Sequence, residues 1–219
     1  MARKRLLAGL VCVLIGATSL AWWLAPEAAR ANRAGAAPSE LAGVLWPEAL
    51  RLADFEMQTQ FDQRFGADSF EGRWSLVFFG YLDCPDICPM SLAAMRQMRE
   101  RMRQKGQPLD DVDFVLVSVD AVHDDSTRMR NYLDVVAPGF IGLTGSVEMI
   151  DRLSTSMAVY YIDRSRTEGV TGPDRIEHSS SVMIVGPDAR VHGAFQPPLQ
   201  PAVMADAFEQ LRRSFQRRS

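Results

Sequence analysis

Two kinds of apolar pattern alternate along this chain. Leu76-Val77-Phe78-Phe79 and Phe114-Val115-Leu116-Val117 are short unbroken runs bounded by polar residues, the signature of strands buried on both faces, and they predict strands over 75–82 and 114–120. Between them, 91–102 carries its apolar residues at helical spacing, and a second helix is predicted over about 126–136. Strand, helix and strand in that order predict a βαβ unit with parallel pairing. Upstream, 52–57 and 60–65 read as a strand pair. Downstream, 140–143 predicts a short strand, 147–157 a helix and 159–162 extended structure. The chain closes with a hairpin, 181–185 and 191–195 around Gly186-Pro187-Asp188-Ala189, and a helix with Met204, Phe208, Leu211 and Phe215 on one face.

A βαβ half followed by ββα predicts an α/β fold of the thioredoxin-like kind, a central mixed β-sheet flanked by helices. The N-terminus adds something else. Arg3-Lys4-Arg5 precedes about twenty uncharged residues, 6–25, which include Trp22-Trp23. This pattern predicts a basic N-terminus and transmembrane anchor over 1–25, one spanning helix with its N-terminus cytoplasmic, the tryptophans at the opposite interface and the domain beyond them. A cleaved signal peptide is the alternative, which Ala29-Arg30-Ala31 would permit, but the apolar stretch exceeds a usual signal core. Cys12 lies inside that stretch and reads as a lipid-facing bystander. Residues 26–49, rich in Ala, Pro, Arg and Glu without periodicity, read as a linker, leaving 50–219 as the globular domain. A length of 219 residues suits one domain plus such an extension, and a net charge of −3 gives no electrostatic footprint for nucleic acid.

The candidate chemistry sits where the first buried strand meets the first helix. Cys84-Pro85-Asp86-Ile87-Cys88-Pro89 spans that turn, and Pro89 is suited to a first helical turn. At a helix start, free N–H groups and the helix dipole predict a lowered thiol pKa for Cys88. A C-x-x-x-C spacing brings the second sulfur about one helical turn from the first, near enough for one metal ion or for a disulfide, and spacing alone does not choose. His178, far downstream, is the best placed imidazole, and two thiolates with one imidazole make a soft site suited to copper.

Taken together, Phe79-Gly80-Tyr81, the Cys84 to Pro89 motif, Val117-Ser118-Val119-Asp120, and His178-Ser179 before a strand ending in Gly186-Pro187-Asp188 resemble the SCO/SenC copper chaperone family over roughly residues 50 to 215. The resemblance implies Cys84, Cys88 and His178 as ligands of one copper ion, Cu(I) or Cu(II), and metallation of the binuclear copper centre of cytochrome c oxidase. It implies as partners the copper-bearing subunit of the oxidase and a copper donor or thiol reductant. It also implies a single-pass protein of the bacterial inner membrane with a periplasmic domain. Two positions depart from the family pattern. Asp120-Ala121-Val122-His123-Asp124 stands where Asp-Pro-x-Arg-Asp is usual, and Asp83 where Thr or His is commoner.

The competing expectation is a thiol-disulfide oxidoreductase in which Cys84 and Cys88 are the redox-active pair. Against it, such enzymes of this fold usually carry C-x-x-C and a proline before the facing strand, where this chain has His178-Ser179-Ser180. A peroxidase of the peroxiredoxin type ranks third, lacking the expected Thr and Arg. His123 reads as a surface loop residue and His192 as an outward-facing strand residue. Met95, Met98 and Met102 read as core, with Met90 ambiguous beside the cysteine loop. Asp86 suits a turn. Phe79 and Tyr81 read as packing that supports the loop. The polar stretch 163–177, with Gly169, Gly172 and Pro173, predicts a mobile loop that presents His178 and gates metal entry.

Overall fold

The computed structural model describes Leu41 and residues 43–172 and 175–217. Among these the element order is β1 (Leu45–Arg51), β2 (Glu56–Thr59), β3 (Arg64–Gly66), β4 (Trp74–Gly80), α1 (Ile87–Gln104), β5 (Val112–Ser118), α2 (Ser126–Val136), β6 (Ile141–Thr144), α3 (Val147–Ser156), β7 (Tyr161–Asp163), β8 (Ile176–His178), β9 (Val182–Val185), β10 (Arg190–Phe195) and α4 (Pro201–Gln216). The strands form a mixed sheet in the order β1-β10-β9-β4-β5-β6-β2-β3, with β7 and β8 as a separate ribbon.

The unbroken apolar runs occupy the centre of that sheet. β4 is buried at every position and pairs in parallel with β5, Leu76 opposite Phe114 and Phe79 opposite Val117, while β5 pairs in parallel with β6. Strands so placed are covered on both faces, which is why they show no polar alternation. α1 buries Cys88, Leu92, Met95, Met98 and Met102, a stripe at helical spacing, and packs against α4. α2 lies close on β6, because a Cβ on Gly142 would come within 2.5 Å of Met129 Sδ, so only glycine admits the helix there.

Three expectations change. β1 falls largely inside the stretch read as linker: it pairs antiparallel with β10, Leu45 opposite Gly193 and Leu50 opposite Val191, and Leu41 already belongs to the core. Its register shifts between those pairs, and Pro47 is tolerated because the strand is at the sheet edge, so no period of two was visible. Second, the stretch 163–177 carries elements at both ends: β7 runs into it, a helical turn at Arg164–Thr167 follows, and β8 closes it, with Tyr161 opposite His178. Strands of three residues are too short to betray themselves by periodicity. Third, the N-terminal strand pair is narrower than its apolar pattern, with Met57 opposite Phe65 at its centre. The predicted transmembrane segment lies outside the described residues, and among those that are described no helix is long and apolar enough to cross a membrane.

Candidate metal centre

The sheet register explains how distant residues meet. β9 runs antiparallel to β4 with Val182 opposite Phe78, so the residues just before 182 lie beyond the carboxyl end of β4, where the cysteine loop leaves the sheet. That loop is held at several points. Leu82 N–H donates to Asp124 Oδ2 at 3.0 Å, Ser118 Oγ donates to the same oxygen at 2.6 Å, and Arg128 pairs with Asp83 at 2.8 Å. Cys84 N–H returns to the Tyr81 carbonyl at 3.3 Å. α1 then begins after Asp86, whose side chain makes no capping bond, so its contribution is a turn conformation and not a cap.

Cys88 lies in the first turn of α1, only 1% exposed, and its N–H points at Cys84 Sγ across 3.4 Å. The close fit requires Gly80: a Cβ there would stand 2.8 Å from Cys88 Sγ. Cys84 is half-buried, and both cysteines are free thiols. His178 ends β8 with Nε2 at 3.4 Å from Cys88 Sγ. Its Nδ1 is 3.1 Å from the Ser179 carbonyl. A carbonyl can only accept, so Nδ1 carries the proton and Nε2 of the neutral ring presents its lone pair to the sulfurs. The ring is fixed edge-on against Phe78 and Tyr81, at centroid distances of 5.8 Å and 5.9 Å.

The electrostatics reverse one expectation. Burial pushes the Cys88 thiol well above its ordinary range, and its hydrogen bond with Cys84 pushes the same way. The helix start does not prevail, because desolvating a thiolate outweighs the benefit of a few N–H groups. Burial likewise holds the His178 imidazole below its usual value, against the opposing pull of the Ser179 carbonyl. The metal-free site is therefore neutral near pH 7 at Cys88 and at His178, and an ion entering it displaces a proton from Cys88.

The ligand atoms of Cys84, Cys88 and His178 all lie within 4.8 Å of one another. Two donors on one ion, each about 2.0–2.3 Å from it, are at most about 4.6 Å apart, so a small closure brings all three onto a single ion. Two thiolates with an imidazole suit Cu(I), a mixed nitrogen and sulfur set also accepts Cu(II), and an incomplete shell leaves room for exchange.

The other candidates separate from this cluster. His123 is half-exposed as expected, yet it is not a bystander: its Nδ1 lies 2.8 Å from Asp120 Oδ1. His192 does not face outward. It packs on Phe215 at 5.4 Å and Trp74 at 6.2 Å, with Nε2 on Asp188 Oδ1 at 2.8 Å. Met95, Met98 and Met102 are core, whereas Met90 is 61% exposed. Tyr81 supports the loop as expected, its ring between His178 and Arg175. Sequence reasoning missed the residues that hold the site together, Ser118, Asp124, Arg128 and Arg175. Only Ser118 and Asp124, which fall in the motifs around Asp120 at the end of β5, gave any signal.

Comparison with known proteins agrees with this geometry. The SCO1/SenC family profile matches residues 47–213. The mitochondrial SCO2 homolog of Mus musculus is 31% identical over 183 residues, 82% of this chain and 68% of the relative. Two solved structures are similar, each with copper bound. Bradyrhizobium japonicum ScoI is 28% identical with a TM-score of 0.62 over 75% of this chain and 99% of that one. Arabidopsis thaliana ScoI is 25% identical with a TM-score of 0.64 over 74% and 98%.

Proposed function

Because the chain belongs to the SCO1/SenC family, we propose that it is a copper metallochaperone which takes one copper ion, as Cu(I) or Cu(II), on Cys84, Cys88 and His178 and passes it to the binuclear copper centre of cytochrome c oxidase. The observation that carries this reading is the convergence of two thiols and one bare imidazole nitrogen within 4.8 Å. The copper-bound relatives and the softness of the donor set support copper over a hard cation.

Delivery requires that the ion leave as well as enter. Three protein donors leave a position at which an acceptor's ligand can attack, unlike a closed four-ligand structural site. The acceptor in this reading is the copper-bearing oxidase subunit, and loading requires a copper donor and a reductant that keeps both thiols reduced. The basic N-terminus and the uncharged stretch 6–25 support a single-pass anchor in the bacterial inner membrane, with the domain in the periplasm. In that oxidising compartment the dithiol competes with its disulfide. The proximity of the two sulfurs also favours a second reading, thiol-disulfide exchange on the acceptor's own cysteines.

The two readings part in a transfer experiment. Reduced protein loaded with one equivalent of Cu(I) is mixed anaerobically with the reduced copper-site domain of an oxidase subunit. Appearance of copper on the acceptor supports the chaperone. Reduction of an oxidised acceptor by metal-free protein, without copper transfer, would support the exchange reading.

A further inference from the structure

His178 reaches the cysteines from outside the main sheet, on the ribbon of β7 and β8. A two-stranded ribbon is marginal by itself, so whatever seats it on the body decides where His178 lies. The chain between the strands passes Gly169 and Gly172, both at positive φ (68° and 97°), and cannot set that position by stiffness.

One side chain stands out as the seat. Arg175, immediately before β8, pairs with Asp120 just beyond the end of β5. Their side chains are 9% and 2% exposed, the most buried ion pair among the described residues. The same guanidinium lies 5.5 Å over the Tyr81 ring, which also packs edge-on against the His178 imidazole. Its Nη2 is also 3.9 Å from Asp83 Oδ2, in the residue before Cys84. Arg175 thus touches the end of β5, the ring beside the ligand histidine and the cysteine loop, three residues from His178. Asp120 accepts from His123 Nδ1, at 2.8 Å on Oδ1 and 3.1 Å on Oδ2, while Arg175 also donates to Oδ2. Stability alone is a poor reason for this arrangement. A buried ion pair carries a desolvation cost that apolar residues of the same size would avoid, and among the described residues Arg175 Nε is buried with no partner. What the pair supplies is direction.

We propose that Arg175 is a positioning residue for His178: clamped between Asp120 and Tyr81, it fixes the third ligand over the cysteine pair, and without it the site behaves as a two-thiol site. The proposal rests on the reading that Cys84, Cys88 and His178 hold the copper together.

The test uses the full chain, reduced, with 15N-labelled histidine and two readouts. In metal-free protein, the His178 ring nitrogens report the Nδ1–H tautomer, and cross-relaxation reports the ring's contact with Tyr81. In parallel, anaerobic competition gives Cu(I) affinity for wild type, Arg175→Gln, Arg175→Lys, His178→Ala and the double variant Arg175→Gln/His178→Ala. In Arg175→Gln the tautomer signature and the Tyr81 contact are lost, and affinity falls about tenfold or more, to the level of His178→Ala. Adding Arg175→Gln to His178→Ala lowers affinity no further, and Arg175→Lys, which keeps the charge, recovers part of both signals. Asp120→Asn/Arg175→Gln, which leaves no unpaired buried charge, shows the same loss at His178 with wild-type near-UV circular dichroism. Retention of the His178 signature and affinity in either Arg175→Gln variant would overturn the proposal. So would a further loss of affinity in the His178→Ala background, or unfolding of both Arg175→Gln and the charge-neutral double variant. If wild type and His178→Ala bind copper equally, the three-ligand reading fails, while the metal-free histidine signals still decide the role of Arg175.

Discussion

Cys88 Sγ and His178 Nε2 lie 3.4 Å apart although ninety residues separate them in the chain. The antiparallel return of β9 along β4 brings them together, and the Ser179 carbonyl turns the imidazole so that its bare nitrogen faces the sulfur. Chemistry at this site depends on that orientation as much as on the ligand types.

Thiol chemistry and metal retention therefore separate in His178→Ala. The variant keeps both cysteines and exchanges disulfides at a rate close to wild type, while Cu(I) affinity falls roughly tenfold or more. Competition titration and exchange with a small disulfide on the same samples check this, and equal losses in both would count against it.

Copper uptake near pH 7 releases protons. The Cys88 thiol, raised by burial, is protonated in the metal-free site, whereas His178, lowered by burial, carries no extra proton to displace. Affinity accordingly rises with pH through neutrality. Calorimetry in two buffers of different ionisation enthalpy measures the release directly, and uptake without proton release would contradict the assignment of Cys88.

Stability of the metal-free dithiol is limited on both sides. As pH falls below about 6.5, the unfolded state binds a proton at residue 178 before the folded state does, so stability drops until the lowered folded value is passed. Above about 8.5 the unfolded Cys88 thiol ionises while the folded one stays neutral, so stability drops again. Urea denaturation across pH should show His178→Ala flattening the acid limb and Cys88→Ala the alkaline one.

Gly80→Ala should damage the site without touching a ligand. The new methyl would stand 2.8 Å from Cys88 Sγ and 2.9 Å from Phe78 Cε1, both in the core. Overpacking of this kind costs about 1–3 kcal/mol, read as a lower denaturation midpoint, together with weaker copper binding. An unchanged midpoint would mean that the strand end yields more readily than its packing implies.

Asp124→Ala removes the acceptor for Ser118 Oγ and for Leu82 N–H, both buried. Leaving such donors unsatisfied costs about 1–3 kcal/mol, and the first residues of the cysteine loop should lose hydrogen-exchange protection before the rest of the sheet. Uniform loss of protection would place the effect elsewhere.

Much of this was legible in the chain. The runs at 76–79 and 114–117 marked the centre of the sheet because strands covered on both faces carry no polar residues to interrupt them. Cys84, Cys88 and His178, which the fold brings together, could be named because cysteines at a strand-to-helix turn and a distant His-Ser carry the family resemblance. What stayed hidden depends on tertiary contact. Burial reversed the sign at the Cys88 thiol, which no local rule at a helix start could foresee. β1 concealed its period behind a shifted register, and β8 is too short to have one. Arg175 looked like one charge in a polar loop, and only the fold brings it to Asp120.

The most direct test of the account is an anaerobic Cu(I) competition titration of the reduced full chain beside Cys84→Ser, Cys88→Ser and His178→Ala. The account predicts one tightly held ion in the wild type, loss of tight binding in each cysteine variant and a clear weakening in His178→Ala. Weak binding in the wild type, or binding that His178→Ala leaves unchanged, would contradict a three-ligand copper site and leave the cysteine pair as a redox couple.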